Sequence, residues 1–324
     1  MPSAFYVLPV NIRPLFPLAE VYIVNWLLKD IGEQVTEEIV TVSCSDEKLQ
    51  LEKKENGFLI SGTLKDVPYA RFAQKLLVLT GEIAILLDLK KAEMKHGQNL
   101  AGEARDKVYF CNVFVENGQL ISVQKKQTEK KLRYLGALTR TVMMAGALER
   151  ILELAVNYAK GREQFARPLH RFQVVQQQLA LLAGEVAAAG IAAEYAATSY
   201  GGNPFSKEIA LAKVRVNEAA GKASAIAHQV LAAIGFTHEH TLHHSTRRLW
   251  AWRDEYGTET DWGLGNSTDR IIITNEELRI VVTGDGCRKS FRKGGIIDER
   301  FTFFGRKQYC KNSAESPGKF ECVQ

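Results

Sequence analysis

The spacing of apolar positions changes twice along the chain. Ala19–Asp30 places Val21, Ile23, Val24, Trp26, Leu27 and Leu28 at helical spacing, and Gly32 supplies a stop. From residue 36 to 122 the pattern breaks into short β-branched or aromatic runs: Ile39–Ser43, Phe58–Gly62, Lys75–Thr80, Glu82–Leu87 and Lys107–Val115. Glu55-Asn-Gly57 and Thr80-Gly-Glu82 punctuate them as turns. A compact antiparallel barrel or sandwich is the reading these runs support. Residues 1–15 carry prolines and read as extended.

From residue 127 the period becomes helical. Glu129–Lys160 carries Leu132, Leu135, Leu138, Val142, Met143, Ala147, Ile151, Leu154 and Ala155, a stripe broad enough to be buried on more than one side. Leu169–Thr198, rich in Ala and Leu, reads as a second helix opened by Pro168 and ending before Gly201-Gly202. Ser206–Ile234 follows, with Ser206 as N-cap and Glu208 in the first turn, and His240–Tyr256 makes a fourth. Ala187, Ala188, Ala189, Gly190, Ala192 and Ala193 let helices approach closely, as in a tight bundle. Beyond it, Arg270–Thr274 and Leu278–Thr283 read as two strands around Asn275-Glu276. After Gly284-Asp-Gly286 the chain is polar, basic and irregular, and no structure is assigned to it. The fold class is α+β, divided as 1–34, a β-domain at 35–126, a four-helix bundle at 127–265 and an atypical tail at 266–324.

Composition narrows the function. A net charge of +5, with no Lys/Arg block interleaved with aromatics, permits anionic ligands but gives no nucleic-acid footprint. Five scattered cysteines, none in a C-x-x-C pair, argue against a secreted disulfide framework. No apolar run reads as a membrane span, the strongest candidate Leu76–Leu89 being interrupted by Glu82 and Asp88. The N-terminus lacks the charged and apolar regions of a signal peptide, so a soluble cytoplasmic protein is expected.

The richest chemistry lies where the first two bundle helices meet. Arg162, Gln164 and Arg167 crowd a short connection between Gly161 and Pro168, offering bidentate guanidinium and amide donors suited to a phosphate or pyrophosphate. The alternative is a solvated turn. Arg162-Glu-Gln-Phe165, Pro168, Phe172-Gln173-Val-Val-Gln176 and Leu179-Ala180 together resemble the signature of the acyl-CoA dehydrogenases. His228-Gln229-Val-Leu-Ala-Ala-Ile-Gly235-Phe-Thr237-His-Glu239 resembles that family's segment beside the flavin pyrophosphate. Arg247–Thr258 resembles its last catalytic-domain helix, and Gly57–Ala70 more weakly its barrel hairpin. The resemblance spans roughly residues 15–265. Val67-Pro-Tyr-Ala-Arg71 and Trp252-Arg-Asp-Glu-Tyr-Gly257 look most like the branch that pairs unlike subunits and acts on steroid side-chain or other bulky acyl-CoA thioesters.

The resemblance implies an N-terminal helical domain, here reduced to a remnant at 1–34, a small β-barrel and a C-terminal four-helix bundle. It implies FAD, α,β-dehydrogenation of an acyl-CoA thioester, an oligomer with like or unlike dehydrogenase subunits, and an electron-transfer flavoprotein as acceptor. Matched residue by residue, Arg162 falls on the flavin pyrophosphate ligand, often shared with a neighbouring subunit, and Gln173 on an amide to the adenosine end. Gln164 belongs to the same corner, Phe165 and Phe172 pack it, and Gln229 with Gly235 forms the second flavin contact. Where the family has Gly-Gly, this chain has Ala232-Ala233.

Dehydrogenation needs a carboxylate base for the α-proton. The family position for it holds Tyr256, whose unperturbed phenol, near pKa 10, is a poor base. On a continuing helix Glu255 would face away from it by about 100°. The other position the family uses, on the first bundle helix, falls at about Gly136. No catalytic residue is therefore assigned, and the chain is expected to depend on a partner for its base. A degenerate scaffold of the same fold is the alternative. His238, His240, His243 and His244 read as solvated helix-start histidines rather than a metal site. Trp250 and Trp252 with Arg247, Arg248 and Arg253 read as packing residues rather than nucleic-acid contacts.

Overall fold

The computed structural model describes residues 17–43, 49–80, 82–200 and 207–263, and the backbone of five strands between 270 and 309. The expectations for residues 1–15, Gly81, Gly201-Gly202, Ser206, Asn275-Glu276 and Asp285-Gly286 lie outside the described residues. The chain divides into two compact units, Met1–Gly257 and Thr258–Gln324.

The first unit begins with helix α1 (Leu18–Asp30), followed by strands β1 (Val40–Ser43), β2 (Gln50–Lys54), β3 (Gly57–Pro68), β4 (Lys75–Thr80), β5 (Ile83–Asp88), β6 (Glu93–Lys95), β7 (Arg105–Glu116) and β8 (Leu120–Ser122). They form two four-stranded sheets, ordered β1-β4-β5-β8 and β2-β3-β7-β6. No ladder closes these sheets into a barrel among the described residues, so the sandwich is the arrangement seen. Nor is the pairing wholly antiparallel, since β1 runs parallel to β4 in the register Val40↔Lys75.

Alternation along the strands explains the layering. Leu76 and Val78 of β4 point into a core shared with Ile60, Leu64, Val108 and Phe110 of the other sheet. Leu77 and Leu79 point the other way, against Ile23, Val24 and Leu27 of α1 and Leu132 and Leu135 of the first bundle helix. The continuous apolar run at Leu76–Leu79 is thus a strand buried on both faces, and α1 covers the outside of its sheet. Register shifts between Ile60/Gly62 and Leu64/Val67 bend β3.

The bundle consists of α2 (Lys125–Gly161), α3 (Gln173–Ser199), α4 (Lys207–Leu231) and α5 (Leu242–Asp254). Its centre is built largely from alanines, among them Ala147, Ala155, Ala189, Ala193, Ala219 and Ala223, with Leu148, Ile151, Leu182, Val216 and Leu249 filling between them. Two expected boundaries are corrected. Pro168 does not open α3: it closes a two-residue hairpin of β9 (Glu163–Gln164) and β10 (Arg167–Pro168), a 3-10 turn covers Leu169–Arg171, and the helix starts at Gln173. α5 stops at Asp254 rather than running to Tyr256. The cause is distant in sequence: the fully buried Lys213 of α4 donates from Nζ to the carbonyls of Trp252 (2.9 Å) and Arg253 (3.2 Å), satisfying the orphan acceptors of the last turn.

α3 also corrects the membrane screen. By length and composition it is apolar enough to cross a bilayer, which the expectation from uninterrupted apolar runs did not include. One face, Leu182, Val186, Ala189, Ala193 and Ala196, is buried in the bundle.

The second unit holds α6 (Glu259–Gly263), whose first turn is tied by Asp261 Oδ2 accepting from the Thr258 N–H (2.8 Å) and hydroxyl (2.9 Å). β11 (Arg270–Thr274), β12 (Arg279–Gly284) and β13 (Cys287–Phe291) form an antiparallel sheet, and β14 (Arg300–Phe303) pairs with β15 (Arg306–Tyr309). The two strands read from the sequence are present. The stretch beyond Gly284, left without structure, contains three more.

Candidate functional site: a charged cleft and an arginine corner

Sheets and bundle together line a cleft of about 540 Å³, with Val42, Pro68, Leu132, Ala251 and Tyr256 as its apolar wall and Lys65, Asp66, Arg105, Arg140 and Glu255 among its charged groups. At its floor lies a chain of paired charges. Arg140, 2% exposed, donates from Nη2 to Glu20 Oε1 (2.6 Å) and from Nε to Glu255 Oε2 (2.5 Å). Arg105 Nη2 binds the other oxygen of Glu255 and lies 3.5 Å from Glu103 Oε2. Glu103 Oε2 also accepts from Trp252 Nε1 (3.0 Å) and Asn99 Nδ2 (2.9 Å). Burial alone would raise the Glu255 carboxyl, but Arg140 and Arg105 outweigh it and hold the group at about 2. A carboxylate so stabilised in its charged form is a poor proton acceptor.

This geometry overturns the expected orientation of Glu255. Because α5 ends one residue earlier, the helical rotation does not apply. Glu255 is extended (φ −68°, ψ 134°) and Tyr256 left-handed (φ 58°), so both side chains line the same cleft. Burial raises the Tyr256 phenol far above its ordinary range, which removes it as a base near neutrality. The two expected base positions also converge. A Cβ built on Gly136 would lie 2.2–2.4 Å from the Tyr256 ring, so Tyr256 occupies the space a side chain at 136 needs.

The corner is built differently. Phe165 (φ 54°) and Ala166 (φ 60°) both lie in the left-handed region as the central residues of the β9–β10 hairpin, a turn that Asn-Gly fills without strain. Phe165 is 87% exposed, its ring edge-on to Phe172 at 6.3 Å, while Arg167 lies 4.0 Å over the Phe172 ring. Arg162, Gln164 and Gln173 are exposed, and their side chains make no hydrogen bond or ion pair with another described residue. Arg162 is held by its backbone, with N–H to Tyr158 O at 2.9 Å and its carbonyl accepting from Leu169 N at 2.8 Å. Left-handed residues and solvent-facing donors are thus gathered on one exposed turn. Planar donors and amides fit a pyrophosphate.

Gln229 lies elsewhere, exposed on the end of α4, beside a second recess of about 480 Å³ with Ser224, His228, Ala232, Phe236 and Trp250. Gly235 is buried against Leu231 and His228 rather than open to solvent. Ala232 is left-handed (φ 52°), a conformation glycine adopts without penalty. Among the described residues no hydrogen bond or ring contact joins these residues to the Arg162 corner; Tyr158, one turn before Arg162, lies edge-on to His240 at 6.2 Å. His240 Nδ1 accepts from Leu242 N (3.1 Å), and no group of three or more metal-ligating side chains converges among the described residues. Trp252 is buried, and Trp250 stacks on His228 at 6.1 Å.

Sequence reading missed Glu20, Glu103, Arg105 and Arg140. A signal for two of them existed: Glu20 and Arg140 are lone charges on otherwise apolar helix faces, which is where a buried pair announces itself.

Residues 134–259 match the family model described as acyl-CoA dehydrogenase, C-terminal domain. The chain is 34% identical over 130 residues to acyl-CoA dehydrogenase IpdE2 of Mycobacterium tuberculosis, covering 39% of this chain and 40% of that protein. It is 26% identical over 248 residues to the acryloyl-CoA reductase (NADH) of Anaerotignum propionicum, covering 71% and 61% respectively. It thus spans less than two thirds of these relatives' length. Among solved structures, the ChsE4-ChsE5 complex of Mycobacterium tuberculosis superposes with a TM-score of 0.66 at 20% identity, covering 76% of this chain and 73% of that one, which establishes a shared fold.

Proposed function

We propose that this chain, whose residues 134–259 match the acyl-CoA dehydrogenase C-terminal domain, is an FAD-dependent acyl-CoA dehydrogenase subunit that lacks its own base and works with a partner subunit. The observation that carries the reading is the cleft floor. Glu255 is ion-paired to two arginines, and Tyr256 fills the other base position at Gly136. Removal of the substrate α-proton then falls to a partner subunit's carboxylate.

Bound FAD supplies the hydride acceptor. Arg162 and Gln164 hold its pyrophosphate, Gln173 the adenosine end, and Phe165 and Phe172 keep the corner in shape; Gln229 and the Gly235 turn form the second contact. Arg105 and Arg140 are held by Glu255, Glu20 and Glu103 at the floor, which leaves the apolar wall of the cleft to an acyl chain. Tyr256 orients the thioester rather than deprotonating it. The proposal takes an electron-transfer flavoprotein as acceptor, a cytoplasmic location, and the division into an N-terminal segment (1–34), β-domain (35–126), bundle (127–265) and tail (266–324).

The test is flavin. The chain, alone and mixed with an intact acyl-CoA dehydrogenase subunit, is expected to carry flavin absorbance, and the mixture to oxidise acyl-CoA. Arg162→Ala should weaken flavin binding about 10- to 100-fold, the worth of a charge-assisted hydrogen bond. Unchanged flavin content in that variant sinks the assignment. A second reading, a non-catalytic scaffold, is favoured by the methyl of Ala232 at a left-handed position beside the second contact, and it predicts colourless protein in every assembly.

A further inference from the structure

Gly136 and Tyr256 are each an unfavourable choice for their own place in the chain. Gly136 lies inside the 37-residue helix α2, where glycine is disfavoured against alanine. Tyr256 holds a left-handed φ of 58°, where a Cβ crowds the backbone. Each is explained by the other. Helical spacing puts Leu132, Gly136 and Arg140 in one row, four residues apart. Leu132 and Arg140 line the cleft, and so does Tyr256. The Tyr256 ring fills the gap that Gly136 leaves between the other two, since a Cβ at 136 would fall 2.2 to 2.4 Å from three of its atoms. Only glycine leaves that room.

The ring is also held in place. It packs against the apolar cluster that includes Val42, Leu132 and Leu135. The Arg140 guanidinium lies 5.5 Å from its centroid and is itself fixed by Glu20 and Glu255. The backbone leading to it is anchored by Lys213 and Asn217 of α4, which donate to the Arg253 carbonyl at 3.2 and 3.0 Å. A ring fixed from the helix, from a paired arginine and through its own backbone is a rigid boundary. Such a boundary sets how large a group enters. Each methylene that enters an apolar site tightens binding about fourfold, until the wall is met. Removing the ring would leave a gap beside Leu132 and Leu135, and an apolar gap stays dry and accepts an apolar group.

We propose that Tyr256, seated on Gly136, sets the upper size of the acyl group that the cleft accepts. The proposal rests on the reading of the cleft as an acyl-CoA site and adds its size limit. Calorimetric titration of the full chain with saturated straight-chain acyl-CoA thioesters, butanoyl to hexadecanoyl, tests it. Wild-type affinity is expected to rise about fourfold per methylene and then level off. Tyr256→Ala should move the levelling point to longer chains, with about fourfold gained for each further methylene. Tyr256→Leu, which fills part of the gap, should move it less and serves where the alanine variant loses its fold. Tyr256→Phe keeps the ring and should leave the levelling point in place. Gly136→Ala should move it to shorter chains, and far less so when combined with Tyr256→Ala, a coupling that a general loss of stability does not produce. The same levelling point in wild type and in the alanine and leucine variants overturns the proposal and leaves the acyl-CoA reading standing. A wild-type chain that binds none of the series overturns both.

Discussion

The cleft floor and the Arg162 corner both gather arginines, and they treat them in opposite ways. In the cleft, Arg140 is 2% exposed and bound on two sides, while Arg105 shares Glu255 with it. At the corner, Arg162 is exposed and its side chain meets no described partner. A buried charge must be paired inside the chain, because desolvating it unpaired costs several kcal/mol. An exposed one costs nothing to leave open and so stays available to a ligand. The contrast separates arginines that hold the fold from arginines left open to solvent, a distinction invisible in residue counts.

Removing Arg140 should have the largest effect. Arg140→Ala leaves Glu20 and Glu255 without their shared partner, and a loss of about 3–5 kcal/mol is expected in denaturant unfolding. A loss below 1 kcal/mol would mean that the cleft charges are solvated like those of the corner. Acid provides the next test. Glu255 sits at about 2 against an ordinary 4.5, so its contribution is complete above pH 4.5 and fades as the pH falls toward 2. The amount at stake is on the order of 3 kcal/mol. Glu255→Gln should flatten that part of the pH profile, starting from a lower stability. A profile with the same slope in the variant would assign the acid sensitivity to other groups.

The same contrast explains what could be read from sequence. The corner was legible because its chemistry is local: Arg162, Phe165, Phe172 and Gln173 lie within a dozen residues, and their order carried the family resemblance. Helices α1 to α5 and the strands from β3 to β7 were legible from apolar spacing. The cleft was not, because Arg140 meets partners 120 and 115 residues away and local pattern is silent on such pairs. Glu255 was misplaced for a related reason: α5 ends where Lys213, some 40 residues earlier, reaches its carbonyls. Pro168 misled because a hairpin built on left-handed Phe165 and Ala166 violates the turn chemistry that would have signalled it. The parallel β1–β4 pair was hidden because two strands of the other sheet intervene in sequence.

The smallest effect separates the two regions by sign. Ala166 holds a φ of 60°, where a Cβ crowds the backbone and costs roughly 1–2 kcal/mol. Glycine relieves that strain but adds freedom to the unfolded chain, worth about 0.5–1 kcal/mol. Ala166→Gly is therefore expected to raise stability by about 0.5–1 kcal/mol, seen as a higher denaturant midpoint at unchanged slope, whereas substitutions at the cleft floor lower it. A turn strained for a ligand's sake gains stability when relaxed, while a network that holds the fold does not. If Ala166→Gly instead destabilises the chain, the hairpin belongs with the cleft as part of what holds the fold, and its arginine is less free than its exposure implies.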